Sequence, residues 1–125
     1  LQTDGERLLG NMGSLLANLQ RRPSRLHGDL WAGNQSFTWN GRPVIYDPAS
    51  YYGDRETDIA MTELFGGFSA DFYSAYETVL PLPEGYRLRR NLYNLYHVLN
   101  HLNLFGRGYL GRSENLISSL LAYTH

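Results

Sequence analysis

The dipeptide Asn40-Gly41, set between QSFTW and RPVIYDP, restricts the fold of this chain more than any other feature. Asn-Gly is the commonest pair for a tight type I′ turn, and the β-branched and aromatic residues on both sides of it predict one β-hairpin. The rest of the chain has a different period. Leu8, Leu9, Met12, Leu15, Leu16 and Leu19 recur every three or four residues and predict a helix from about Glu6 to Gln20, weakened by Gly10 and Gly13 and ended by Pro23-Ser24. The hairpin is followed by a loop, ASYYGDRET, and by a helix opening at Asp58 with Thr57 or Asp58 as its cap. Gly66-Gly67 interrupts that helix. Further helices are predicted over Ser69–Leu80 and Tyr86–Phe105; Gly106, Gly108 and Gly111 close the latter, and Ser113 caps a last one ending near Leu121. The expected class is α+β, mostly helical, with a single hairpin inserted after the first helix.

A length of 125 residues is that of one ordinary domain. The missing initiator Met and the near-immediate onset of apolar periodicity suggest a piece of something longer. Cysteine is absent, which excludes disulfide frameworks, thiol catalysis and thiolate metal sites, and fits a reducing, cytoplasmic setting. No run of eighteen apolar residues and no basic-then-apolar leader occurs, so no membrane partner is expected. Eleven basic against 12 acidic residues give a net charge of -1, which does not recruit nucleic acid. Arg21, Arg22 and Arg25 read as a solvated helix C-terminus set against the negative end of the dipole.

The hairpin carries the chemistry. With Asn40 and Gly41 as the two turn residues, Trp39 pairs with Arg42, Ser36 with Ile45 and Asn34 with Asp47, while Pro43 faces Thr38. An amide oxygen and a carboxylate opposed in this way suit Mg²⁺, which keeps several waters and takes further ligands from a substrate's phosphates. Asp29, five residues before Asn34, lines the same cleft and is free to accept a proton. An Asp base, four intervening residues, an Asn metal ligand and a later metal-binding Asp is the protein-kinase order, in which catalysis depends on positioning and electrostatics. Taken singly, His-Gly-Asp and Asp-Pro are ordinary turn sequences; the hairpin register makes them a constellation. His27 suits a loop support better than a nucleophile. Of the close acids Asp54, Glu56 and Asp58, at least one ties down backbone N–H groups. His97 and His101 have metal-ligand spacing but no third ligand, and read as satisfied helix histidines. Ten Tyr and two Trp recur mainly at helical spacing and read as core or groove wall, not as base-stacking platforms.

LHGDLWAGN resembles the catalytic loop of aminoglycoside phosphotransferases and choline kinases, and IYDPASYYGDRETDIAM resembles the metal-binding segment of that superfamily. The tryptophan in GDLW, the DPASYYG run, LFGGF and LYHVLNHLNLFG are most similar to the fructosamine and ketosamine kinases, from about residue 26 through the final helix. The resemblance implies the carboxyl-terminal lobe of a two-lobed, protein-kinase-like fold. It also implies ATP and Mg²⁺ as cofactors, with a sugar hydroxyl of a small ketosamine or a glycated protein amine as acceptor, in protein deglycation. Asp29 matches the base, Asn34 and Asp47 the metal ligands that hold Mg-ATP, and Asp58 an acid that supports the catalytic loop. Trp31 reads either as a substrate wall or as lobe core.

The family also needs an N-terminal lobe with a nucleotide-covering loop and a phosphate-facing Lys. This chain has neither: no Lys occurs, and Arg is not a point-charge equivalent. Residues 1–125 are therefore expected to be one acceptor and catalytic lobe, inactive alone, with the N-terminal lobe as its missing partner. Two rival readings stay open: a phosphotransferase acting on an aminoglycoside, choline or another alcohol, and an inactive pseudokinase-like interaction lobe. Oligomeric state is not legible.

Overall fold

The computed structural model describes residues 1–17 and 22–124. The helical periods appear as α1 (Gln2–Leu15), α2 (Glu56–Leu64), α3 (Ala70–Val79), α4 (Tyr86–Phe105) and α5 (Leu110–Ala122). Short strands β1 (Ser24–Leu26), β2 (Gln35–Phe37), β3 (Pro43–Ile45) and β4 (Tyr51–Gly53) complete an α+β fold. No helix among the described residues is long and apolar enough to cross a membrane.

The chain divides into two compact units. One holds α1, α5 and α4 from Arg87 onward. Its core is Leu8, Leu15, Leu92, Leu95, Ile117, Leu120 and Leu121; those from α1 and α4 belong to the apolar stripes that the periodicity marks. The other holds the four strands with α2 and α3, and buries Leu26, Leu30, Ile59, Ala60, Met61 and Leu64. In that unit β1 pairs antiparallel with β4, Leu26 opposite Tyr51 and Ser24 opposite Gly53. Sequence reasoning left Tyr51–Gly53 in a loop, because three residues are too few to show a period.

The hairpin is present, but its register differs by one from the predicted one. Gln35 faces Ile45, Ser36 faces Val44 and Phe37 faces Pro43. The connection is a three-residue loop, not a two-residue one. Gly41 has a left-handed φ of 83° and Asn40 does not share it, so a type I′ turn, which needs both, cannot form. Thr38 stabilises the longer loop: its carbonyl accepts from Gly41 N (2.9 Å), and its hydroxyl accepts from Arg42 N (3.0 Å) and donates to the Asn40 side chain. Pro43 is tolerated because it opens its strand.

Helix ends also depart from expectation. The first helix starts at Gln2 instead of Glu6 and ends at Leu15 with Leu16 as its C-cap, short of the predicted Gln20; Leu19, Gln20 and Arg21 lie outside the described residues. Neither Thr57 nor Asp58 caps α2; the Asp54 carboxylate does, accepting from Glu56 N at 3.0 Å. Ser69 caps α3 through Phe72 N. Ser113 is not a cap: it is buried inside α5 and donates to Tyr109 O at 2.9 Å.

Candidate functional site

The loop between β1 and β2 is held by its own side chains and by two neighbours. The Asp58 carboxylate, on the first turn of α2, accepts His27 N at 2.8 Å and Gly28 N at 3.0 Å, so one side chain satisfies two loop amides. Gly28 has φ 86°, and a Cβ there would lie 2.0 Å from the Ala49 carbonyl oxygen. Only glycine permits both the left-handed turn and that approach.

His27 joins the loop to the segment after β3. Asp29 N donates to His27 Nδ1 (3.2 Å), so Nδ1 carries the lone pair and Nε2 the hydrogen, which it donates to Tyr46 O (2.7 Å). The His27 carbonyl accepts from Ala49 N at 2.8 Å. These two bonds bracket Asp47, and Tyr46 N donates to Asn34 O at 3.0 Å. Asp47 therefore reaches the loop by a route other than the predicted one. It does not lie opposite Asn34 in a regular ladder; it follows Asn34's neighbour Tyr46 on a backbone turned left-handed (φ 51°), which aspartate tolerates better than most residues.

Asn34 is buried, and its amide donates both to the Asp29 carbonyl (2.9 Å) and to Asp29 Oδ2 (3.1 Å). This fixes the Asp29 carboxylate, leaves its Oδ1 for another proton, and leaves Asn34 Oδ1 as an acceptor. Trp31 is 39 % exposed, and its ring lies over Gly33, where a Cβ would come within 2.3 Å of the indole. It meets Phe65 edge-on at 6.2 Å, so it is neither core nor wholly in solvent.

The donor set available for a cation is Asn34 Oδ1 and the exposed Asp47 carboxylate. Both are hard oxygens, which fits Mg²⁺ completed by water and phosphate and excludes a soft metal. No group of three or more His, Cys, Asp or Glu among the described residues could hold a metal by itself. His101 Nδ1 lies 2.7 Å from His97 O, and its ring packs against Phe105 and Tyr109, which accounts for the pair as helix histidines.

Arg55 stands among Asp54, Glu56 and Asp58 in sequence, yet its contacts lie elsewhere. It reaches Tyr76 OH (3.1 Å), Leu80 O (3.0 Å) and Pro81 O (2.6 Å), and lies over the Tyr76 ring, tying the start of α2 to the end of α3. An arginine beside three acids was the available signal, but its carbonyl partners are 25 and 26 residues away. Behind it, Thr62 donates to Ile59 O (2.6 Å) and so receives its hydrogen bond from Tyr73 OH (2.9 Å). Burial raises the Tyr73 pKa and the Glu63 charge adds to that rise, while a Thr62 hydroxyl able to turn toward a phenolate opposes it.

An aspartate fixed by an asparagine five residues on, with a second aspartate in the turn that follows the hairpin, has the order of a kinase-type catalytic loop. The chain belongs to the fructosamine kinase family, whose profile matches residues 1–123. It is 57% identical over 109 residues to a Vibrio parahaemolyticus protein named as a probable ketoamine kinase, covering 87% of this chain and 38% of that protein. It is 48% identical over 117 residues to the chloroplastic protein-ribulosamine 3-kinase of Arabidopsis thaliana, covering 94% and 36%. The fold superposes with a TM-score of 0.86 and 37% identity on a crystal structure from Thermobifida fusca described as a candidate fructosamine-3-kinase, covering 96% of this chain and 41% of that one. The chain thus spans well under half the length of the relatives it matches.

Proposed function

We propose that a protein carrying this chain transfers a phosphoryl group from ATP to a sugar hydroxyl of a ketosamine, either a small adduct or a glycated protein amine, and that residues 1–125 supply its catalytic and acceptor lobe. The bond from Asn34 to Asp29 Oδ2 supports this reading most directly, because it orients a carboxylate whose other oxygen is open to a hydroxyl proton. Asp29 is the base. His27 and Asp58 act through it, setting the loop backbone from two sides. Asn34 Oδ1 and Asp47 would hold Mg²⁺, which when bound neutralises charge on the phosphates. Trp31 offers an apolar wall on which the acceptor packs. The partner is a nucleotide-binding lobe elsewhere in the full-length protein, without which the 125-residue chain is inactive. The cysteine-free sequence supports a cytoplasmic setting, and the activity is one of protein deglycation.

The test is an acceptor panel on a full-length protein carrying this chain, with ATP and Mg²⁺: small ketosamines, a glycated protein, an aminoglycoside and choline. Phosphate on the ketosamines, with turnover cut on the order of 10²–10⁴-fold by Asp29→Asn at nearly unchanged nucleotide affinity, is the expected result. Phosphorylation of aminoglycoside or choline but not ketosamine would overturn the acceptor. No phosphate on any acceptor would leave the pseudokinase reading in its place.

A further inference from the structure

Within the unit that carries the catalytic loop, a cavity of about 530 Å³ lies between β1, the start of α2 and one face of α3. Its walls include Leu26, Leu30, Ile59, Phe72, Tyr76 and Leu80, and its charged groups are Arg25, Arg55 and Asp58. That volume falls within the range of about 300–1,000 Å³ typical of sites for small organic molecules, and apolar walls with a few charged groups are the usual composition of such sites. Two arginines and one aspartate are among the lining residues, and both oxygens of the Asp58 carboxylate are already engaged by His27 N and Gly28 N. The local excess is one positive charge, and two aromatic rings line the wall.

We infer that this cavity is a binding site for a planar aromatic molecule bearing a single negative charge, separate from the Asp29–Asn34 site. Phe72 and Tyr76 supply faces and edges for a flat ring system. Arg25 and the unused donors of Arg55 receive the anionic group; Arg55 spends three of its five N–H donors on Tyr76, Leu80 and Pro81. An ammonium in the same place would meet two like charges. Asp58 connects the site to catalysis: the side chain that lines the cavity also holds the two amides of the catalytic loop, so an occupant that excludes water from Asp58 strengthens those bonds. The inference is independent of which acceptor the enzyme phosphorylates.

The experiment titrates 2-naphthoate into a ¹⁵N-labelled full-length protein carrying this chain, without nucleotide or metal, with 2-naphthylmethylammonium as the isosteric cation. Saturable shifts at Leu26, Leu30 and Ile59 are expected, with affinity for the cation weaker by roughly tenfold or more. Val79→Trp adds bulk at the rim of the cavity, at a residue that is 85% exposed on α3, so it leaves the fold intact and is expected to weaken naphthoate binding by a similar factor. Bound naphthoate also slows hydrogen exchange at the His27 and Gly28 amides. Equal affinity for the two probes, shifts confined to other surfaces, or unchanged binding in Val79→Trp would overturn the site; unchanged exchange at saturation would overturn its link to the loop.

Discussion

Replacing Asp58 by Ala removes the acceptor of two loop amides at once. Hydrogen bonds to a charged group contribute about 1.5–3 kcal/mol each, and the half-buried position of Asp58 lets water take over part of the loss. The net cost of holding the loop in place is therefore about 2–4 kcal/mol, less than the sum of two fully buried bonds. Amide hydrogen exchange reads this directly, since His27 N and Gly28 N have Asp58 as their acceptor. The expected acceleration is roughly 30- to 700-fold at these two amides, with far smaller changes in the α1, α4 and α5 core. Asp58→Asn should fall between, because one amide oxygen can accept only in place of two carboxylate oxygens and its NH₂ then faces a donor. If Asp58→Ala left both amides exchanging at the parent rate, the carboxylate would not be what sets the loop, and its assigned support of Asp29 would fail with it.

Gly28→Ala should lose at least about 2 kcal/mol in urea unfolding, because a left-handed φ and a Cβ 2.0 Å from the Ala49 carbonyl oxygen cannot both be accommodated; a loss below 0.5 kcal/mol on the scale of ordinary surface substitutions would contradict the close approach. Tyr73 keeps its proton in the folded state to a higher pH than in the unfolded chain. Its contribution is therefore intact below its ordinary value of 10.0 and is lost as pH rises through the raised folded value. Tyr73→Phe should accordingly show a shallower fall in stability above pH 10.0 than the parent, and identical alkaline slopes would refute it. Asp47→Ala in the full-length protein should shift the Mg²⁺ titration of nucleotide binding to higher concentration; a superimposable curve would remove Asp47 as a ligand.

The site and the helices were legible to different degrees. Apolar periodicity located α4 from Tyr86 to Phe105 because twenty residues supply more than five turns of signal. It missed β4, whose three residues supply none. The same asymmetry applies to the site. Asp29 and Asn34 are five apart in one loop, so their proximity follows from chain connectivity; Asp47 is joined to them through Tyr46 and Ala49 backbone groups, which every sequence has and none advertises.

The amino-acid sequence by itself determined the elements and the candidate residues: which faces are apolar, that one hairpin interrupts the helices, and that an Asp–Asn pair and a later Asp stand at the spacing on which the proposed chemistry rests. Tertiary structure decided the register and the clamps. The hairpin slipped by one residue because Thr38 offered its hydroxyl and carbonyl to a longer loop, a choice that depends on hydrogen bonds no propensity encodes. Asp58 and Arg55 acquired their roles only when residues 25 to 31 positions away came within reach, since a side chain's partners are set by where the chain returns and not by what stands beside it in sequence.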